Sequence, residues 1–267
     1  MPYPATHVQV PGEAPPTVEY EQPLTERMRT FLRLEFLYQQ ASFHAEASTD
    51  WNSRAAVASL LDILAIMGRG DVRSEVIKEL ERHAEQLRRF RKQPGVDHGR
   101  LDSLLHTVES LREELNRAGT GLIQPLRDSD FLSAIKHRSA IPGGTCVFDL
   151  PDYTFWLSRP YPERAQQLER WLTQLRPLCD AVSEVLWLIR QGRKPRERIA
   201  QAGMYQQALE RGESPSLLRV IMPGDAEYYP EISGSQHRFT VRFLHFNSVD
   251  ERPTQTPDDV TFLLSLC

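Results

Sequence analysis

The spacing of apolar residues changes period once along the chain, and that change limits what it can fold into. From about residue 25 to about 190, apolar side chains recur at intervals of three and four. From about residue 214 onward they recur at every second position. Helix-period and strand-period segments in separate blocks imply an α+β fold, here a mainly helical body with a smaller antiparallel β-sheet domain.

Within the helical block, Thr25 is placed to cap a helix reading ERMRTFLRLEFLYQQASFHAEA. Met28, Phe31, Leu32, Phe36 and Leu37 are spaced as its buried stripe, and Arg29 and Arg33 form an i,i+4 pair on another face. A second helix over 50–67 ends at the breaker GRGD. Asp71 caps a third, with apolar positions Val72, Val76, Ile77, Leu80, Ala84, Leu87 and Phe90. After QPGVDHG a fourth carries Leu101, Leu104, Leu105, Val108, Leu111 and Leu115. Two long amphipathic helices around a short break predict an αα-hairpin. Two helices cannot bury both stripes alone, so other helices or a second subunit must cover them. A short helix near 127–139 and helices at 152–158 and 162–190 follow, the last expected to break or kink at Pro177.

The strand-period segments are LLRVIMP, RFTVRFLHF and DVTFLLSLC, with YYPEISGSQH read as a loop before the middle one. TCVFDL after the Pro142-Gly143-Gly144 turn, and VEYE near the N-terminus, have the composition to join them in one sheet. The expected organisation is a disordered Pro-rich extension over 1–17 and β-domain strands in 18–24, 141–150 and 214–267. A helical domain spans 25–140 and 151–191, and a flexible basic connector spans 192–213.

RFTVRF alternates strictly. Phe239, Val241 and Phe243 share one face; Arg238, Thr240 and Arg242 share the other. The apolar face is a core face. Two arginines about 13 Å apart on the other face repel unless an acidic group, from the protein or a partner, sits between them. The chain is acidic overall, with a net charge of −4, which argues against a general nucleic-acid binder. Arginines beside apolar groups instead suit a peptide that is both acidic and hydrophobic. Further candidates are Arg219 in the preceding strand, Arg29 and Arg33, Arg73 with Lys78, and Arg138 before the Pro-Gly-Gly turn. For any one of them, a solvated charge or surface ion pair is the plain alternative.

Nothing points to an enzyme or a cofactor. G-x-S-x-G, P-loop, G-x-G-x-x-G and H-E-x-x-H patterns are absent. His83, His98 and His106 lack metal-ligand spacing. Cys146 is read as a small buried hydrophobe inside a strand rather than a nucleophile. Cys146, Cys179 and Cys267 are odd in number and widely spaced, which fits a reducing, cytosolic setting rather than a disulfide framework. MPYPATHVQVPGEAPP has no basic segment followed by an apolar run, so it does not read as a secretory signal, and no apolar run is long enough for membrane insertion.

PLTERMRTFLRLEFL, DVRSEVIKELERH, PGVD, SAIPGGTCVFDLP and YPEISGSQHRFTVRF, in this order and spacing, resemble the ZapD family of Z-ring-associated bacterial cell-division proteins. The resemblance runs from about residue 18 to the C-terminus; the Pro-rich extension and QGRKPRERIAQAGMYQQALERGESP diverge. It implies a non-enzymatic cytoplasmic homodimer with a helical domain and a β-domain. Such a protein binds the C-terminal tail of the tubulin-like GTPase FtsZ and bundles its filaments at midcell. It also implies that Arg238 and Arg242, with Arg219, Arg29, Arg33, Arg73 and Arg138 as further candidates, meet that acidic, partly apolar tail. The rivals are a nucleic-acid-binding module on the same strand face, a hydrolase built on the PGGTC turn, and a scaffold for another filament.

Overall fold

The computed structural model describes residues 17–209, 215–235 and 237–267. Of the extension expected to be disordered, only Thr17 lies within the described residues, and it opens the first strand. The chain is a mixed α+β protein. It divides into two compact units, one made of the chain up to Arg29 with Ile189–Cys267, the other of Thr30–Leu188.

The helices are α1 (Glu26–Ala45), α2 (Asp50–Met67), α3 (Val72–Phe90), α4 (His98–Ala118), α5 (Gln124–Arg127), α6 (Asp130–Ser139), α7 (Pro151–Ser158) and α8 (Tyr161–Gln191). Their starts follow the capping residues. Thr25 Oγ1 accepts from the Met28 N–H at 3.2 Å, Thr49 from Asn52, Asp71 from Ser74, Asp97 from Arg100 and Ser129 from Leu132. The buried stripe of α1 runs through Met28, Phe31, Leu34 and Ala41, whereas Phe36, expected inside, is 48% exposed. Leu34 lies three residues after Phe31 and so continues that row, while Phe36 falls on the opposite side.

The αα-hairpin forms from α3 and α4. Ion pairs Arg88–Glu109 (2.5 Å), Arg91–Asp102 (3.0 Å) and Arg112–Glu81 (3.5 Å) step along its antiparallel register. All are on the surface and contribute about 0–1 kcal/mol each. On α4 only Val108 and Leu115 are fully buried; Leu101, Leu104, Leu105 and Leu111 are half-buried. Pro177 does not interrupt α8, which is helical throughout. Proline removes one N–H, and the packing of Leu175, Leu178, Cys179, Val182, Val185 and Leu186, all buried, outweighs that loss.

His83 is buried on α3 beside the ion-paired Glu79 and Arg82. Burial first, and then the charge of Arg82, push its pKa down to about 4; Glu79 opposes them. The unfolded chain therefore binds a proton between about pH 6.5 and 4 that the folded chain refuses. Stability contributed by neutral His83 is complete above pH 6.5 and is lost as pH falls toward 4, by at most about 3 kcal/mol. Urea midpoints measured from pH 7 to 4 should fall more steeply for the wild type than for His83→Gln. Parallel profiles would remove His83 as the cause.

The β unit contains β1 (Thr17–Pro23), β2 (Arg196–Ala200), β3 (Met204–Ala208), β4 (Leu217–Pro223), β5 (Tyr228–Gly234), β6 (Arg238–His245), β7 (Thr254–Gln255) and β8 (Val260–Leu266). In place of the single sheet expected, the described residues form two. One has the order β1-β4-β8-β2, the other β3-β6-β5 with β7 also paired to β6, and every pairing is antiparallel. Leu218, Val220, Met222, Phe262 and Leu264 of the first pack with Phe239, Val241 and Phe243 of the second in one core.

Three expectations fail here. Of the expected flexible connector over 192–213, residues 192–209 are described and hold β2 and β3, joined by a turn with Ala202 at φ 45° and Gly203 at φ 70°; 210–213 lie outside the described residues. Positive φ at both central residues matches the type I′ geometry of two-residue hairpins. YYPEISG is strand β5 rather than a loop. The middle strand over 141–150 does not form. Its backbone closes local turns instead, Gly144 N–H to Ile141 O, Cys146 N–H to Gly143 O and Asp149 N–H to Cys146 O. Gly143 stands at φ 74°, and a Cβ on Gly144 would run into the Arg138 carbonyl. Val147 and Phe148 are left 63% and 86% exposed.

Candidate functional site

β6 is the central strand of its sheet. Phe239, Val241 and Phe243 are buried in the core, so the pleat turns Arg238, Thr240 and Arg242 to the opposite face. The register sets their neighbours on that face: Ala208 beside Arg238, Gln206 beside Thr240, and Met204 and Glu231 on either side of Arg242. Glu231 accepts from both Nε (3.1 Å) and a terminal nitrogen of Arg242. The acidic group that two arginines on one strand face require thus comes in part from β5. Both members of this pair are about half exposed, so it contributes about 0–1 kcal/mol, and a partner's carboxylate can compete with it. Arg238 is exposed and makes no side-chain ion pair among the described residues.

The other arginines have separate surroundings. Arg219 is buried on β4, paired with Glu19 and Glu21 and donating to the Arg190 carbonyl at 2.9 Å. It is not on the arginine face of β6. Arg29 lies 3.4 Å from Glu26, and Arg33 is exposed on α1. Arg73 donates to the Leu115 carbonyl (3.0 Å) and to Asn116 (3.2 Å), which ties α3 to the end of α4. Arg138 pairs with Asp149 at 3.3 Å.

A family model described as ZapD, cell division protein, matches residues 32–242. The chain is also 37% identical over 250 residues to the cell division protein ZapD of Methylococcus capsulatus (strain ATCC 33009 / NCIMB 11132 / Bath), covering 94% of this chain and 98% of that one. The chain belongs to the ZapD family.

As a ZapD-family member it is a non-enzymatic cell-division protein. Its cysteines are placed accordingly. Cys146, expected inside a strand, sits half-buried in a turn and donates its S–H to Asp149 Oδ2 at 3.4 Å. Cys179 is buried, which pushes its thiol pKa far up. Among the described residues no cluster of His, Cys, Asp and Glu is arranged to hold a metal, and no helix is long and apolar enough to cross a membrane.

In this ZapD-family protein, the face of β6 that carries the arginines includes residues that sequence reasoning passed over. Met204, Gln206 and Ala208 of β3, and Glu231 of β5, share it with the arginines. For the three residues of β3 the sequence signals were the Ala-Gly pair that turns β2 into β3 and a weak alternation in MYQQA.

Proposed function

We propose that this protein binds the acidic, partly apolar C-terminal tail of FtsZ on the arginine face of β6. As a cytoplasmic homodimer at midcell, it cross-links FtsZ filaments and so stabilises the Z-ring. The observation that carries this reading is the exposed pair Arg238 and Arg242 on one strand face, the first without an internal acid among the described residues and the second in a competable surface pair. Membership of the ZapD family supports the partner. Charge steers and orients the tail, while apolar contact, for which Met204 is exposed on the same face, supplies most of the affinity. The half-buried leucines of α4 fit a face that a second copy covers. A dimer presents two sites, and many tails on one filament raise their effective concentration, so a weak site suffices for bundling.

The test is a titration of labelled FtsZ tail peptide into wild type and into Arg238→Glu/Arg242→Glu, with circular dichroism confirming that both are folded. The double variant should lose about tenfold or more in affinity, and raised salt should weaken the wild type alone. Equal affinity in the two proteins, independent of salt, would return these arginines to the role of solvated surface charges.

A further inference from the structure

We propose that the tail binds as an added β-strand along the outer edge of β3, with Arg238 reaching across Ala208 to a carboxylate of the peptide. This deepens the tail-binding reading and rests on it.

β3 ends its sheet, and its hydrogen bonds show which backbone groups remain open. The Leu209 N–H bonds the His237 carbonyl and the Phe243 N–H bonds the Gly203 carbonyl, both at 2.8 Å. Residues 203, 205, 207 and 209 therefore turn their backbone groups to β6, and those between turn theirs outward. Met204 gives its outward N–H to the Gln201 carbonyl at 2.9 Å in the turn from β2. Beyond that pair the two strands part into different sheets. The outward N–H and C=O groups of Gln206 and Ala208 have no partner among the described residues, and both residues are exposed.

An open edge is ordinarily blunted by proline, lysine or a bulge. The opposite edge of the same sheet is blunted in this way. In β5 the Ser235 N–H bonds the Arg238 carbonyl at 2.9 Å, which puts Pro230 at an outward position, where it has no N–H to offer. β3 carries no proline, lysine or bulge. Among the described residues nothing covers it, and it borders the arginine face.

Charge and shape select the occupant. Neighbouring strands stand about 4.8 Å apart, so a strand added to β3 lies about 10 Å from β6. Arg238 can span that gap because its neighbour on β3 is Ala208, whose methyl leaves the way clear. Four residues away on the same face of β3, Met204 is 43% exposed. The fitting ligand is an extended acidic peptide with a carboxylate beside Ala208 and an apolar side chain beside Met204. Ladder hydrogen bonds then supply affinity that does not depend on side chains.

The experiment uses the wild-type protein and a series of labelled FtsZ tail peptides, each N-methylated at one backbone nitrogen. Strand addition predicts an alternating pattern: methylation at every second position weakens binding about tenfold or more, and methylation at the positions between has little effect. Gln206→Pro, which removes an outward N–H and leaves the ladder to β6 intact, should weaken the unmodified peptide similarly. If Arg238→Glu/Arg242→Glu abolishes binding while neither N-methylation nor Gln206→Pro matters, strand addition is overturned and docking on the arginine face stands. If the unmodified peptide does not bind wild type at all, both fall. Should Gln206→Pro fail to fold, the peptide series decides alone.

Discussion

Arg219→Ala is expected to destabilise the β unit by about 3 kcal/mol and to leave the affinity of the folded protein for the FtsZ tail unchanged. The side chain is 9% exposed. It joins a set of two acids and two arginines, in which Arg190 also donates to both oxygens of Glu21 at 2.8 Å. Its removal leaves Glu21, itself mostly buried, with one cationic partner fewer, and strips the Arg190 carbonyl of its donor. Breaking a buried pair from one side costs about 3–5 kcal/mol; because Glu19 is substantially exposed, the lower end applies. Arg219→Lys keeps the charge but not the planar fork and should fall between. Urea denaturation measures the first effect and peptide titration the second. A loss of affinity at unchanged stability would move Arg219 into the docking site.

Arg219 also shows where sequence reading stops. Its strand, LLRVIMP, is plain from composition, but whether an arginine in it meets solvent or two glutamates depends on the pairing with β1, which aligns Glu21 with Arg219. That alignment is a long-range fact. The same division holds elsewhere. Helix starts at Thr25 and Asp71 are local chemistry, and the faces of RFTVRF follow from the pleat alone. β2 and β3 escaped notice because each is five residues long and their turn is Ala-Gly rather than the usual Asn-Gly. β5 was hidden by Pro230, which reads as a breaker until the strand is known to be an edge. TCVFDL erred the other way. Its residues favour a strand, but Gly143 and Gly144 commit the backbone to local turns, and the chain enters α7 at Pro151 with no room for a ladder. Which arginine has an internal acid is likewise a matter of register: β5 puts Glu231 opposite Arg242, whereas β3 puts Ala208 beside Arg238.

Phe243→Ala is expected to cost about 3–5 kcal/mol, the largest single effect on stability from β6. The ring has no exposed surface. Its centroid lies 5.0 Å from that of Phe262, across the two sheets, and 5.8 Å from Tyr228. Truncation opens a cavity at the centre of the core that joins the sheets, where neighbours held by both ladders can collapse only partly. Arg242→Ala, one position away, removes only a surface pair with Glu231 and should change stability by about 1 kcal/mol or less. The two faces of one strand therefore separate two properties. In conditions where Phe243→Ala remains folded it should still bind the tail peptide, because the arginine face and the β3 edge are intact. Arg238→Glu/Arg242→Glu, which sets a second carboxylate opposite Glu231, should lose about 1 kcal/mol or less and fail to bind. Chemical denaturation and peptide titration on the same preparations measure both. Equal losses of stability from the arginine and phenylalanine variants would mean that the arginine face is part of the protein's own packing and that the tail docks elsewhere.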